Sequence, residues 1–245
     1  MVQASNSRTG GLPGAEDAGL QARTETPALL DRRAAVAELG AELRALLEAA
    51  ARTEVSAEVL RDTAAALREL AEPLTERLRP RERPSSVDDL ISGVRMFNPV
   101  IGEGNPIAPP LRIEVQDTQV EGRCTLGAAH EGPHMFSHGG MSALWLDQVL
   151  GHAAAAAGNI GVTTSLSVRY RRPVPLGEPL RVWGRAVELD GSRTVAKGAI
   201  ATVAEPEVAL VEAEARFLKL SLEQVQRMYP GMVGDDARNP DAAHD

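Results

Sequence analysis

The chain has 245 residues and a formal net charge of −8, and only 3% of its residues are aromatic. The acidic balance argues against nucleic-acid binding, which needs a basic footprint, and so few aromatic residues argue against base stacking. The single cysteine, Cys124, excludes an internal disulfide and a cysteine-rich zinc site. No run reaches the roughly 18 apolar residues of a membrane span, and the N-terminus lacks an apolar signal region. A soluble cytoplasmic protein is therefore expected.

Residues 1–27 lack periodicity and are predicted to be disordered. A helical extension over residues 28–83 follows, with one helix over 28–52 and a second that begins at the N-cap residue Ser56. We expect a hairpin whose apolar faces meet each other or another subunit. A partner-binding or membrane-surface helix is the alternative, which the alternating acidic and basic residues on the polar faces disfavour.

Residues 84–110 form a long irregular connection rich in proline, glycine and asparagine, and loops of this length are usually functional or linkers. From Leu111 the pattern alternates with a period of two, which predicts antiparallel strands over 111–115 and 120–126. A glycine-rich loop then runs to Ser137. The segment 99–110 and the loop 127–137 are the expected lids.

Residues 137–158 are rich in helix-forming residues and predict a long helix. Gly139 and Gly140 lie where it begins, so its first N–H groups have no intrahelical partner and no side chain shields them. Another molecule could approach these N–H groups closely, at the positive end of the helix dipole.

Asp147 is the anomaly of this helix, because apolar or small residues surround it. Its neighbours at three and four positions are Ala143, Leu144, Leu150 and Gly151. A carboxylate on a buried face is costly unless it is paired or used. The alternative is an exposed Asp on a polar edge with Gln148 and His152, and the pattern leaves both open.

Four further strands are predicted over 162–171, 180–189, 193–203 and 208–220, joined as a meander with a hairpin turn at Asp190-Gly191. Ser221 and Gln224 have capping-box spacing and open a short closing helix, and an acidic, disordered tail follows over 230–245. The predicted fold class is α+β, one long helix against an antiparallel sheet of about six strands. The sheet's other face then needs a cover, which a second subunit, the N-terminal helices or both could supply.

The segment from Ser137 to Gly177 resembles the hotdog-fold acyl-CoA thioesterases, of the phenylacetate-pathway type. The matching features are His138-Gly139-Gly140, Asp147 nine residues after the histidine, Gly151, Thr163, and the run from Leu166 through Tyr170-Arg-Arg-Pro-Val-Pro to Gly177. The resemblance covers about residues 107–220. It implies a hotdog fold over residues 84–220 and hydrolysis of an acyl-CoA to the free acid and coenzyme A, with no cofactor beyond the substrate's own coenzyme A.

The family's site residues carry over onto matching positions. The Gly139 N–H would polarise the thioester carbonyl, with Gly140 beside it. Asp147 would attack the carbonyl or deprotonate water, Thr163 would hold that water, and His138 would support the loop or the substrate. The resemblance requires no metal.

The chain departs from the family pattern at one place. The family often has an Asn or Gln a few residues before the His-Gly-Gly, but Gly132 stands near that position here. His134 and Ser137 are the candidates to replace this second carbonyl contact, and the alternative is a site that lacks it.

Arg171 and Arg172 are candidates to bind the phosphates of coenzyme A, since guanidinium groups bind phosphate bidentately. A solvated strand end with ordinary salt pairs is the alternative, and we favour it for Arg169. The histidines at 130, 134 and 152 fit no standard zinc spacing, so no metal site is expected.

Geometry predicts a homodimer, possibly assembled further into a tetramer. Gly139 and Asp147 are eight residues apart, so about 12 Å separates them along one helix. Two antiparallel helices related by a two-fold axis can bring one residue of each to the same carbon, which creates two shared sites. Small residues at 143, 151 and 154 would permit close packing there. The other functional hypotheses are an acyl-CoA-binding protein without turnover and a scaffold whose N-terminal helices bind a partner.

Overall fold

The computed structural model describes residues 23–89 and 91–221, together with 223, 224 and 227. The predicted disorder of residues 1–22 and of the tail over 230–245 lies outside the described residues. Within the described residues, no helix combines the length and the apolar character needed to cross a membrane. The helices there are α1 (Pro27–Arg52), α2 (Ala57–Thr75) and α3 (Gly139–Ala156). The strands are β1 (Arg112–Gln116), β2 (Gln119–Thr125), β3 (Gly161–Tyr170), β4 (Pro179–Asp190), β5 (Arg193–Thr202) and β6 (Val211–Lys219).

The six strands form one antiparallel sheet in the order β1-β2-β4-β5-β6-β3. The predicted meander is wrong for β3, which pairs with β6 rather than with β4. The neighbouring edge of β4 is occupied by β2, and Pro173 and Pro175 after β3 lack the N–H groups that continued pairing needs. That proline segment pairs instead with the loop before α3, where the Ser137 N–H donates to the Val174 carbonyl over 2.8 Å.

Helix α3 packs one face on the sheet, which confirms the predicted α+β arrangement. The residues of this face are buried: Ser142, Trp145, Leu146, Val149, Leu150, Ala153 and Ala154. Leu150 lies over the paired glycines Gly184 and Gly198, where a Cβ would come within 2.9 and 3.1 Å of its methyl group. Each such buried leucine contributes about 1.5–3 kcal/mol. Ala154 therefore faces the sheet, while Ala143 and Gly151 lie on the half-buried outer face.

Two predicted helix starts are confirmed by side-chain caps. Ser56 Oγ accepts the Val59 N–H over 3.4 Å at the start of α2. At the start of the predicted closing helix, Ser221 Oγ accepts the Gln224 N–H over 3.2 Å, and Gln224 Oε1 accepts the Ser221 N–H over 2.8 Å. This reciprocal pair is a capping box, which satisfies two N–H groups left free at a helix end.

Helix α1 packs against the loops that flank the sheet. Gly40 is buried against the backbone of Glu103 and Gly104, and a Cβ there would lie 2.8 Å from the Gly104 Cα. Arg44 donates to the carbonyls of Glu103 and Asn105 over 2.7 and 3.0 Å. Arg33, further up the same face, donates to the Val87 carbonyl over 2.8 Å. The first helix of the extension is therefore an integral part of the folded domain.

Gly40→Ala is expected to lower the free energy of unfolding by about 1–3 kcal/mol, because the added methyl overpacks two backbones that cannot retreat. Thermal or urea unfolding measures the change. Its sign is diagnostic, since Gly→Ala in an open helix position raises stability by about 0.5–1 kcal/mol. A more stable variant would contradict the close contact between α1 and residues 103–104.

Helix α2 differs from α1, because none of its nineteen residues, all of them described, is buried. Leu70 and Leu74 on its apolar face are 70% and 58% exposed. Within the described chain the two apolar helix faces therefore do not bury each other. The other prediction, that another subunit covers the apolar face of α2, stays a prediction.

Cys124 lies on β2 and is half-buried and free. Burial raises the pKa of its thiol to about 12. The thiolate, which is the nucleophilic form, is therefore scarce at neutral pH.

Candidate active site

Among the described residues, the backbone N–H groups at the start of α3 differ in whether they have a hydrogen-bond partner. His138 is the N-cap residue, with φ −60° and ψ 134°, and its Nδ1 accepts the Gly140 N–H over 3.0 Å. Its carbonyl accepts the Met141 N–H over 2.9 Å. Among the described residues, the Gly139 N–H has no hydrogen-bond partner. The helix therefore presents this donor at the position that the sequence singled out, and the role of His138 here is to cap the helix.

The loop before α3 holds this helix start through its own backbone. The His138 N–H donates to the His130 carbonyl over 3.0 Å. Gly132 lies directly against His138, and a Cβ at 132 would come within 2.6 Å of the His138 Cα. An Asn or Gln side chain at 132 would therefore collide with His138 in this loop conformation.

Tyr170, at the end of β3, lies against Gly139. Its hydroxyl donates to the Gly139 carbonyl over 2.9 Å, and a Cβ on Gly139 would lie 3.3 Å from the tyrosine Cε1. The ring therefore fixes the first residue of α3 from the strand side. Tyr170 belongs to the motif that carries the family resemblance, but nothing in the sequence indicated that its side chain would contact the start of α3.

Asp147 and Thr163 form a direct pair across α3 and β3. The Thr163 hydroxyl donates to Asp147 Oδ1 over 2.9 Å, beside an irregularity in the register of β3 between Thr163 and Ser165. Asp147 lies on the half-buried outer face of α3 rather than in the core. The carboxylate is therefore hydrogen-bonded and oriented by Thr163, and it is still accessible. It is paired, as a carboxylate on a buried face must be, yet the face on which it lies is only half-buried.

A second polar group reaches this face of α3 from the long loop, and sequence reasoning missed it. Asn98 Nδ2 donates to Gln148 Oε1 over 2.9 Å, beside Asp147 in sequence. Asn98 Oδ1 accepts the N–H groups of Val100 and Ile101 over 2.8 and 3.1 Å, so the amide is held rigidly. The Asn98-Pro99 pair was visible in the sequence, but nothing in it indicated contact with α3.

His152 lies one helical turn after Gln148 and contacts it. Burial lowers its pKa, partly offset by the backbone contact with Gln148. Its Nδ1 lies 2.9 Å from the Gln148 carbonyl oxygen and 3.2 Å from Gln148 Nε2. The ring is therefore held against the backbone and the side chain of Gln148.

The two candidates for a second carbonyl contact differ in their surroundings. The His134 side chain is 90% exposed, and its Nδ1 lies 3.4 Å from Glu131 Oε1. Ser137 is buried, and its hydroxyl lies 3.4 Å from the His138 carbonyl. The structure thus brings together Gly139, Gly140 and His138 at one end of α3, and Asp147 with Thr163 further along it.

The two arginines after β3 differ in their contacts. Arg171 is paired with Glu212, through Nε at 3.0 Å and Nη2 at 2.9 Å. Arg172 is exposed, and among the described residues its guanidinium has no salt-bridge partner. Of the two, the Arg172 guanidinium is the one available to a phosphate.

One chain does not bring the two halves of the site to a common carbon. Gly139 and Asp147 both lie on α3, about 12 Å apart at 1.5 Å per residue.

A surface cleft of about 340 Å³ lies elsewhere, near β2 and β4 rather than near β3. Its lining residues are Glu121, Arg123, Arg181, Val203, Pro206 and Glu207. Within the described residues, no group of three His, Cys, Asp or Glu side chains is placed to hold a metal ion.

Comparison with known proteins identifies the family. The family model for the thioesterase superfamily matches residues 135–209, from the loop before α3 into the segment before β6. The crystal structure of a thioesterase superfamily protein is 35% identical over 75% of this chain and 90% of its own, with a TM-score of 0.66. The chain belongs to the thioesterase superfamily, and its fold is the hotdog fold that the resemblance implied.

More distant solved structures are also similar to this chain. The E. coli PaaI protein from the phenylacetic acid degradation operon is 15% identical over 45% of this chain and 80% of its own, with a TM-score of 0.42. A Streptococcus mutans protein solved with acetyl-CoA bound is 20% identical over 44% and 88%, with a TM-score of 0.42. The thioesterase superfamily protein that is 35% identical covers 75% of this chain, whereas residues 84–245 make up only about two thirds of it. That similarity therefore extends into the N-terminal helical extension.

Proposed function

We propose that the protein hydrolyses an acyl-CoA thioester to the free acid and coenzyme A. The observation that carries this proposal is the Thr163–Asp147 pair on the outer face of α3, a carboxylate held at 2.9 Å by a hydroxyl. Asp147 takes a proton from water while the water oxygen attacks the thioester carbon, and Thr163 orients that water. When the tetrahedral intermediate collapses, the C–S bond breaks and the coenzyme A sulfur receives the proton from Asp147.

The Gly139 N–H supplies the second element, stabilisation of the oxyanion. Attack on the thioester moves negative charge onto the carbonyl oxygen, and in many enzymes preorganised donors at that point account for most of the rate enhancement. The Gly139 N–H, unpaired among the described residues, lies at the positive end of a helix of 18 residues. One such donor is worth about 3 kcal/mol in the transition state.

A homodimer would complete the site. Within the described chain, β3 is an edge strand of ten residues that pairs only on its β6 side, and an edge of this length is normally covered. Pairing of β3 with its two-fold copy would set the two α3 helices antiparallel. Gly139 of one subunit would then lie beside Asp147 of the partner subunit, which supports the shared site that the 12 Å separation requires.

Coenzyme A binding is assigned mainly to Arg172 at the outer end of β3. Its guanidinium is exposed, whereas that of Arg171 is held by Glu212. Phosphates are bound well by guanidinium groups, which present parallel donors. Arg171 precedes Arg172, but its charge is paired with that of Glu212.

Thiol release from a panel of acyl-CoAs tests the proposal. The panel contains short and long aliphatic, aromatic and hydroxylated acyl groups, with the matching oxygen esters as controls. We expect turnover of at least one thioester class, and the best substrate names the acyl class. Binding of acyl-CoA by calorimetry without any turnover would instead assign a binding function to the same fold.

A further inference from the structure

The carboxylate of Glu48 on helix α1 binds the backbone of the loop that precedes the start of α3. Glu48 Oε2 accepts the Ala128 N–H over 2.7 Å, although the two residues are 80 positions apart. A hydrogen bond to a carboxylate is roughly twice as strong as one between neutral groups. Gly127 lies against the same oxygen, so closely that a Cβ there would collide with it.

Two groups connect the Glu48–Ala128 hydrogen bond to the Gly139 N–H: the turn Ala128–His130 and the N-cap residue His138. Ala128 begins the single turn Ala128–His130, and the His130 carbonyl at its end accepts the His138 N–H over 3.0 Å. His138 in turn caps α3 and immediately precedes Gly139. A displacement of this turn therefore shifts His138, and the position of His138 sets the direction of the Gly139 N–H.

The turn is held on its other side by the long loop. His130 Nε2 lies 3.0 Å from the Ile107 carbonyl, which only accepts, so the ring donates there. The same ring lies edge-on to Trp145 in the core of α3, with 6.3 Å between the ring centroids. The other end of the turn, at Ala128, is connected to α1 by its hydrogen bond to Glu48.

We propose that Glu48 is a positioning residue for the oxyanion donor, so that α1 is a working part of the active site. The inference rests on the proposed function. Glu48 touches no reacting atom; it fixes the Ala128–His130 turn, and the turn fixes His138 and Gly139. Through this contact α1 affects catalysis, whether or not α2 binds a partner.

Glu48→Ala in the full-length protein tests this role. We expect kcat to fall by about tenfold with KM changed by less than about twofold, because the donor acts mainly in the transition state. Amide hydrogen exchange at Ala128 and His138 should become faster in the same variant. Glu48→Gln, which keeps an acceptor oxygen of the same reach, should restore most of kcat and of the protection.

Two controls separate this contact from general effects on α1. Glu42→Ala removes the same side chain from an exposed position of the same helix, and Arg52→Ala removes the surface ion pair that Glu48 makes at 3.3 Å. Both should leave kcat and exchange unchanged. Thermal unfolding of every variant shows whether the fold itself is altered.

Gly127→Ala breaks the same contact from the other side. The backbone of Gly127, with φ −101° and ψ −175°, accepts alanine, but the new methyl displaces the Glu48 carboxylate. Its effect on kcat should match that of Glu48→Ala, and the double variant should be no worse than either, since both remove one interaction.

The outcomes are distinguishable. An active wild type with unchanged kcat in Glu48→Ala overturns the inference alone, and so does unchanged exchange at Ala128 and His138. Additive losses in the double variant also overturn it. A wild type inactive toward the whole panel of thioesters overturns the proposed function, and the positioning role with it.

Discussion

Asp147→Asn is expected to lower kcat by on the order of a hundredfold or more, because it removes the proposed general base. The substitution keeps the shape of the side chain, and its Oδ1 can still accept from the Thr163 hydroxyl at 2.9 Å. KM should change little, since the amide occupies the same volume. Steady-state thiol release on the best substrate measures both constants.

Substitutions at Thr163 provide the matched comparison. Thr163→Ser keeps the hydroxyl that bonds Asp147 and should retain most activity, whereas Thr163→Val keeps the shape and loses the hydroxyl. We expect the valine variant to fall between wild type and Asp147→Asn. Wild-type kcat in a folded Asp147→Asn protein would remove Asp147 from the mechanism and leave it as a partner of Thr163 only.

Gly139→Pro is expected to lower kcat by about a hundredfold, since it deletes the N–H proposed as oxyanion donor. Proline has no N–H, yet it is favoured at the first position of a helix. His138, at ψ 134°, already has the extended backbone that precedes proline. Gly139→Ala is the matched control, because it adds the same Cβ beside Tyr170 and keeps the donor.

Mixed dimers of these two inactive variants test the shared site. In a heterodimer of Gly139→Pro with Asp147→Asn, one site carries both changes and the other carries neither. Random reassociation of equal amounts should therefore recover about a quarter of wild-type activity if each site uses both subunits. Mixtures that stay inactive, while heterodimers form by mass spectrometry, would place both groups of a site on one chain.

The sequence predicted most of what lies close together along the chain. The start of α3 at Gly139 and the caps at Ser56 and Ser221 follow from local rules about unpaired N–H groups, so they were readable. The strands followed from alternation with a period of two. The family resemblance predicted that Asp147 and Thr163 serve the same water molecule, but it did not predict the direct hydrogen bond between them, which joins residues sixteen positions apart on different elements.

What the sequence did not predict depends on contacts between distant segments. The place of β3 beside β6 depends on which strand occupies the edge of β4, and alternation says nothing about neighbours. The contacts of Asn98 with Gln148 and of Glu48 with Ala128 span 50 and 80 residues. An amide in a loop and a glutamate on a helix carry no local sign of such partners.

The raised thiol pKa of Cys124 has a consequence for a protein that would release a free thiol at every turnover. Disulfide exchange needs a thiolate, and with a pKa of about 12 the side chain is ionised in only about one molecule in a hundred thousand at pH 7. The chain has no other cysteine. Oxidised coenzyme A therefore finds almost no reactive sulfur on the folded protein, and the colour of a thiol reagent in the assay reports the product alone.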